Sequence, residues 1–423
     1  MLATTIILLI LFVVGVPIGF ALGMAPLAGL LERGMPLLTI PQAVFEILDS
    51  FALLAVAYFV LAGRLMQASG LARRLVEFAQ ALVGWMAGGL GGATVLTAML
   101  FSTMSGSSSA TAAAVGTMIG PELKKQNYPI PFVGAVIAGS AELGAIIPPS
   151  IAMIIYAVLS GISIGQLFLA GVVPGLLIGF SLIGLVVFTS RRHAYGIRQR
   201  LGLRQWALGL LVATRRSFLA LLTPAIILGG IYGGVFTATE AAAVAVAYTL
   251  FLGLFVYREL HISALPKIFF EAALTTAIVM IIVGFASVLA YVLVINQVPA
   301  LVARHISDIT DQPWVFLLVV NVLLLIAGMF IESIAAMIIL VPILTPVAAS
   351  FGIDPIHLGV IVICNLAIGM VTPPIGVNLY VACSTFNIRI EQMIRPLLPI
   401  LLVLVTNLIL ITYLPWLSLV LIR

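Results

Sequence analysis

The sequence predicts an all-α polytopic membrane protein made of two inverted repeats, each with a re-entrant helical hairpin and a broken helix. Three observations predict it. First, the 423 residues are 63% hydrophobic and 8% charged, with a mean hydropathy of +1.29, which no soluble domain of this length sustains. Second, proline pairs interrupt two membrane-length apolar segments, Pro148-Pro149 in GAIIPPSIAMIIYA and Pro373-Pro374 in GMVTPPIGVNLYVA. Third, sliding the chain on itself by their spacing, with no gap, also brings Pro41 onto Pro266, Pro121 onto Pro346, Pro174 onto Pro399, Glu46 onto Glu271 and Gly134 onto Gly359. Five aligned prolines over about 140 positions, where chance gives roughly 0.4, mark an internal repeat. Proline removes backbone donors and breaks helices. Broken membrane helices at matching repeat positions point to the binding site of a secondary transporter.

The elements follow in order. The apolar run over 3–30 has no basic leader and no small-residue cleavage site, so it is expected to be a retained first span and not a signal peptide. A second span is expected over 42–66. Next comes an amphipathic stretch with Leu71, Leu75, Phe78 and Leu82 on one face and Arg73, Arg74 and Glu77 off it. The apolar region 86–123 is interrupted by MSGSSSA from Met104. Its two arms of about 15–20 residues are short for crossings and read as a re-entrant hairpin, a shape tolerated only where its tip is buried or lines a cavity. A broken span over 131–160 and a full span over 163–190 complete the first half.

The stretch 191–216 is the longest polar one and is expected to be a loop. Full spans follow over 218–236, 238–257 and 266–296, then a second amphipathic stretch over 298–308. The second hairpin covers 314–350, interrupted near 329–333, and a broken span over 356–385 and a last span over 399–420 close the chain. The expected division is 1–85 for scaffold spans and a first arm helix, 86–190 for one transport half and 191–217 for the basic loop. Scaffold spans and a second arm helix take 218–311, and the other transport half takes 312–423. The amphipathic stretches have two readings: interfacial helices that couple a moving part to a fixed one, or plain surface connectors.

The isoelectric point near 9.4 does not mean a nucleic-acid partner, because the basic residues sit in short loops between apolar stretches. With 191–216 on the cytoplasmic side, that side collects its seven arginines and Arg64, Arg73, Arg74, Lys124, Lys125, Arg258, Lys267, Arg389 and Arg395. Only Arg33, Arg304 and Arg423 fall outside. That split supports the count of crossings. It orients the repeats, roughly 41–180 and 266–405, oppositely, with the N-terminus cytoplasmic and the C-terminus outside.

Chemistry concentrates at the interruptions. The tip 105–109, with Ser105, Gly106, Ser107, Ser108 and Ser109, supplies hydroxyls and unpaired carbonyls of the kind that bind Na⁺ at membrane depth. The arm after it opens with N–H groups that suit an anion. The bland alternative is close helix packing by small residues. After Pro148-Pro149-Ser150 and again after Pro373-Pro374 a new half-helix begins, and Thr372 and Asn378 add polar side chains; the alternative is a simple kink. Intramembrane acids are functional candidates. Glu332 and Ser333 occupy the second tip, where Glu332 is a cation ligand, a proton carrier or a cap, the cap favoured. Glu142, two residues before Gly144, is either a site residue or a buried, hydrogen-bonded acid. Glu46 and Glu271 read as interfacial anchors, and Glu240 as an acid at a helix start. The four histidines lie at span ends and Cys364 and Cys383 in apolar segments, so no metal centre or disulfide is expected.

The motifs SGSSSATAAAVG from Ser105, SAELGAIIPPS from Ser140, GVFTATEAAAVAV from Gly234 and GMVTPPIGVNLYV from Gly369 resemble the large membrane subunit of tripartite ATP-independent periplasmic (TRAP) transporters across the whole chain. The resemblance implies an elevator, in which the hairpins and broken spans form a transport domain that moves against a scaffold. It implies sodium-coupled import of organic acids, C4-dicarboxylates or sugar acids such as sialic acid, across the bacterial inner membrane. It also implies a small membrane (Q) subunit, here expected as a separate chain, and a periplasmic substrate-binding (P) protein. Na⁺ is the coupling ion and no other cofactor is implied. Carried over by position, one cation site uses Ser105, Gly106, Ser107, Ser109, Gly144, Pro148 and Ser150. The other uses Glu332, Ser333, Gly369, Thr372 and Gly376. Substrate then lies between the tips, near Ser107, Ser108, Glu142, Pro149, Ser333, Pro374 and Asn378. The second tip, IESIAA, departs from the pattern in lacking the hydroxyl run. A stand-alone elevator symporter is the alternative, and an ion channel a further one. An intramembrane hydrolase is not expected, since HExxH is absent and no histidine lies at membrane depth.

Overall fold

In the computed structural model the described residues, 2–86, 88–196, 202–309 and 311–422, form helices and short connections with no strand among them. Among the described residues eight helices are long and apolar enough to cross a membrane, or nine if the bent pair Ile130–Ile146 and Ile151–Ser160 is one span.

The start of the chain departs from expectation. The run over 3–30 is two helices, α1 (Leu2–Val13) and α2 (Ile18–Glu32). Gly15 takes φ +83° and Pro17 has no N–H to continue the ladder, so the chain reverses. A Cβ on Gly29 would lie 2.8 Å from Thr4 Oγ1, which makes the two helices an antiparallel hairpin. The chain start therefore lies at the same end of the bundle as Arg33, not opposite it as a cytoplasmic N-terminus with one crossing required. The expected span over 42–66 is divided as well. α3 (Thr39–Leu48) stops at Asp49, and Ser50 is extended before a turn leads into α4 (Leu54–Ala68). Asp and Ser compete with the helical backbone for hydrogen bonds.

The first amphipathic stretch is α5 (Leu71–Val83), which buries Leu71, Leu75, Val76 and Ala79. The first hairpin is α6 (Gly89–Ser105) and α7 (Ser108–Lys125). The first broken span is α8 (Ile130–Ala141), the single turn α9 (Leu143–Ile146) and α10 (Ile151–Ser160), followed by α11 (Ile164–Arg192). The expected loop over 191–216 is mostly helix, because α12 (Leu203–Tyr232) already holds Arg204, Arg215 and Arg216. Arg198, Arg200 and Arg423 lie outside the described residues.

α13 (Ala238–Phe251) opens with a capping box in which Thr237 and Glu240 bond each other's backbone N–H. Glu240 thus has the expected role. α14 (Leu265–Ile295) and the second amphipathic helix α15 (Val298–Ile309) follow. The second hairpin is α16 (Pro313–Phe330) and α17 (Ser333–Ser350), and the second broken span is α18 (Pro355–Gly369) and α19 (Val377–Phe386). The last long helix, α20 (Ile390–Tyr413), starts and ends earlier than the expected 399–420, and the short α21 (Trp416–Leu419) follows Pro415.

Both hairpins close at their own bases. Near the base of the first, the Gly91 N–H donates to the Tyr128 hydroxyl at 3.3 Å. In the second, the rings of Phe316 and Phe351 stack with centroids 4.8 Å apart. The broken spans run antiparallel: the Tyr156 hydroxyl near the end of α10 donates to the Pro355 carbonyl at the start of α18 at 2.9 Å. At the other end a Cβ on Gly134 of α8 would meet Ile388 Cδ1 at 3.2 Å, just past α19. The repeats are inverted and they exchange partners, α10 packing on α17 and α19 on α7. Ion pairs gather at the basic end, Arg73 and Arg74 with Glu259 and Arg64 with Glu271. Glu271 is therefore an ion-paired anchor of α4 on α14.

Candidate functional site

The first tip is built by a reversal of backbone hand. Gly106 has φ +60°, a conformation that costs glycine little, and it ends α6. Ser107 then turns extended and caps α7, accepting from the Ala110 N–H at 3.5 Å. Beneath it the Ser105 and Thr111 hydroxyls are 2.8 Å apart, and Thr111 donates to the Ser107 carbonyl at 2.8 Å. Three hydroxyl residues, Ser105, Ser107 and Thr111, thus cluster at the tip with no charged group among them.

This tip seats against the first proline break. The Ile151 N–H, freed where the helix restarts, donates to the Gly106 carbonyl at 3.1 Å. Ser150 caps α10, accepting from the Met153 N–H at 3.4 Å and donating to the Ala145 carbonyl at 2.6 Å. The approach is close enough that a Cβ on Gly144 would lie 2.6 Å from the Ser107 carbonyl oxygen. Gly144, Pro148, Pro149 and Ser150 are all buried. The peptide bonds Pro148–Pro149 and Pro373–Pro374 are both cis.

The second tip repeats the geometry with different chemistry. Glu332 caps α17, its carboxylate accepting from the Ile334 and Ala335 N–H groups at 2.9 and 3.3 Å and from the Ser333 hydroxyl at 3.1 Å. The helix start that elsewhere attracts an anion is here already filled by a protein carboxylate. The Gly376 N–H donates to the Met329 carbonyl at 3.2 Å. Gly369 packs on Gly328, where a Cβ on Gly369 would come within 2.6 Å of the Gly328 Cα. The Thr372 hydroxyl donates back to the Ile368 carbonyl at 2.7 Å. α19 starts at Gly376 with no side-chain cap. Pro374 and Ile375 are exposed, unlike any residue of the first break.

Two contacts join the halves across the repeat axis. The Ser108 hydroxyl lies 3.9 Å from Met370 Sδ. Asn378 Nδ2 donates to Glu142 Oε1 at 2.8 Å, and both side chains are fully buried. The structure therefore brings the first tip, the first break and the start of α19 into one cluster. Glu332 stays with its own helix start and bonds to none of the first-half residues. Residue-by-residue reading missed Thr111, which secures the first tip. It also missed Asn321 and Asn365, where Asn365 Nδ2 donates to Asn321 Oδ1 at 2.7 Å between α16 and α18. An asparagine inside an apolar span was the available signal, since such groups must find partners. His357 is buried between the Ser418 hydroxyl and the Thr412 carbonyl, a structural bridge at a span end. Among the described residues no group of His, Cys, Asp and Glu is placed to hold a metal.

Comparison with known proteins agrees with this architecture. Residues 5–417 match the family model described as the tripartite ATP-independent periplasmic transporter, DctM component. The C4-dicarboxylate TRAP transporter large permease protein DctM of Pseudomonas aeruginosa is 44% identical over 378 residues, covering 89% of this chain and 88% of that one. The sialic acid TRAP transporter large permease protein SiaM of Vibrio cholerae is 40% identical over 408 residues, 96% and 95% of the two chains. Among solved structures, the YdaH transporter of Alcanivorax borkumensis, described as having an unusual topology, shares the fold with a TM-score of 0.55 at 17% identity, covering 89% of this chain and 87% of that one. The relatives are permeases and not enzymes. A match along nearly its whole length, with two hairpins and two broken spans in inverted order, means that this chain belongs to the tripartite ATP-independent periplasmic transporter family as its large permease component.

Proposed function

We propose that the chain is the sodium-coupled carrier of a three-component importer of organic acids and that it works by an elevator motion. The observation that carries the reading is the seating of each oxygen-bearing hairpin tip on a proline break, at the depth where the repeats cross. Unwound backbone and half-helix ends of this kind coordinate coupling cations and substrate carboxylates near the membrane midplane. No lysine or arginine occurs between residues 126 and 190 or between 305 and 388, so an anionic substrate relies on helix starts, hydroxyls and bound cations. The first cation site consists of Ser105, Gly106, Ser107 and Ser109 with Gly144, Pro148 and Ser150. The second consists of Glu332, Ser333, Gly369, Thr372 and Gly376 and depends more on backbone. Substrate lies between Ser107, Ser108, Glu142 and Pro149 on one side and Ser333, Pro374 and Asn378 on the other.

In this reading α6–α11 and α16–α20 are the transport domain, α1–α4 and α12–α14 the scaffold, and α5 and α15 the arms between them. The substrate is a C4-dicarboxylate or a sugar acid, as the names of the relatives suggest. The chain sits in the bacterial inner membrane with its basic end towards the cytoplasm, a small membrane subunit beside it and a periplasmic binding protein delivering the acid. The test is uptake into proteoliposomes holding this chain and its small subunit, with candidate binding proteins outside. Uptake should need both the binding protein and an inward Na⁺ gradient. Uptake with no binding protein would favour a stand-alone symporter, and sodium current without solute would favour a channel.

A further inference from the structure

We propose that the cleft between α8, α11 and α20 is a binding site for an anionic phospholipid, with the phosphate held at Arg395 and the upper acyl chains packed on the apolar wall beneath it. The cleft holds about 430 Å³ and lies where α11 ends and α8 and α20 begin. That end of the bundle also carries Arg191, Arg192 and Arg389, which places the cleft at the level of lipid headgroups. No residue of either tip or either proline break lines it.

The lining is graded as a phospholipid is. Arg395, His193, Thr189 and Tyr195 stand at the outer end, and Leu185, Val186, Pro399 and Ile400 lie one to two turns further in. The drop along the helices is about 5–12 Å, the reach from a phosphate to the first acyl carbons. Pro129, Pro131, Pro396 and Pro399 all face the cleft and carry no backbone N–H, so the wall suits hydrocarbon. One side is aromatic: the Phe132 and Tyr195 rings stand 5.4 Å apart between centroids, and Tyr195 stacks on His193 at 5.4 Å. Phe188 and Leu398, next to the lining residues Thr189 and Pro399, are exposed. The helices flanking the cleft thus turn apolar side chains outward to the bilayer beside it.

Charge selects the occupant. No lining residue is acidic. Arg395 has no hydrogen bond or ion pair among the described residues, although Glu391 lies one turn earlier on the same helix. Its planar fork of donors matches a phosphate. The His193 Nδ1–H donates to the Thr189 carbonyl at 3.0 Å, which holds the ring against Tyr195 and brings in no negative charge. Basic pockets between membrane helices on the cytoplasmic side bind anionic headgroups. A small soluble anion would use Arg395 and leave the apolar wall bare, whereas a lipid covers both. α20 packs on α8 and on α11, so one bound lipid ties the helix leading to the first break to the last long helix. The site does not depend on sodium coupling or on the acid transported.

The test is lipid retention by the whole chain, taken from bilayers of phosphatidylcholine and phosphatidylglycerol into detergent and weighed by native mass spectrometry. Wild type should keep one phosphatidylglycerol in preference to phosphatidylcholine. Arg395→Gln should lower that retention about fivefold, the effect of one basic group at a membrane surface, and Arg395→Lys should restore most of it. Thr189→Trp fills the cleft and leaves the charge, so it should lower retention as well; it also serves should Arg395→Gln not fold. Equal retention of the two lipids overturns the proposal, and so does retention unmoved by Arg395→Gln or by Thr189→Trp. If glycerol phosphate at the lipid's own concentration displaces it, the site takes a soluble anion and the proposal fails.

Discussion

The two half-sites share a backbone plan and differ in almost every side chain that touches it. In the first half a neutral hydroxyl, Ser107, caps the second arm, another, Ser150, caps the restarted helix, and the whole break from Gly144 to Ser150 is buried. In the second half a carboxylate, Glu332, caps the arm, the restarted helix α19 has no side-chain cap, and Pro374 and Ile375 are exposed. An inverted repeat conserves where helices break, because proline and glycine act on the backbone alone. It does not conserve what the breaks bind. The first half has the makings of a sealed cage for an ion, and the second leaves a helix start open to something arriving from solution.

Three experiments sharpen or break this comparison. The largest effect is expected for Gly144→Val. A side chain there runs into the Ser107 backbone oxygen 2.6 Å from the first added carbon, and overpacking of that kind costs about 1–3 kcal/mol. Sodium-driven uptake should disappear and the melting temperature fall, whereas Ile375→Ala at the exposed break should change neither. Equal effects at the two positions would remove the distinction between a sealed and an open half.

Next comes the double change Ser107→Ala with Ser109→Ala, which removes two tip hydroxyls, the Ser107 cap of α7 among them. The Na⁺ concentration for half-maximal uptake should rise about tenfold, which corresponds to ~1.4 kcal/mol of lost binding. An unchanged sodium dependence would refute the first cation site. Smallest is Glu332→Gln. If Glu332 is a cap and no more, the amide oxygen can still accept from Ile334 and Ala335, and half-maximal Na⁺ should move by less than about threefold, or ~0.6 kcal/mol. A larger shift would make Glu332 a cation ligand and the two tips more alike than their contacts suggest.

Much of the fold was legible because its signals are local. The hairpin tip at 105–109, the breaks at the proline pairs and the amphipathic α5 each follow from residues within one or two turns. The misjudged elements had local signals too, but weaker ones. Gly15 and Pro17 divide 3–30, and Asp49 and Ser50 divide 42–66, inside stretches whose hydropathy alone suggests a single span. Residues 203–216 of the expected loop are helix because arginines are good helix formers and this stretch continues directly into the apolar part of α12. At the site, Thr111 was hidden in an alanine-rich run where only its contact with Ser105 gives it meaning. The favoured reading of Glu332 as a cap, in contrast, agrees with its bonds, because capping involves only the next three residues.

By itself the sequence determined that the chain lives in a membrane, that it is two inverted copies of one plan and that each copy is interrupted twice. Composition, charge placement and proline act without regard to distant partners, so they can be read from the chain alone. Only the tertiary structure decided which tip seats on which break, that the first half is closed while the second is open, and that Glu142 meets Asn378 across 236 positions of sequence. Those outcomes depend on how helices from opposite repeats pack, and a buried oxygen is known to lack a partner only once every neighbour has been placed.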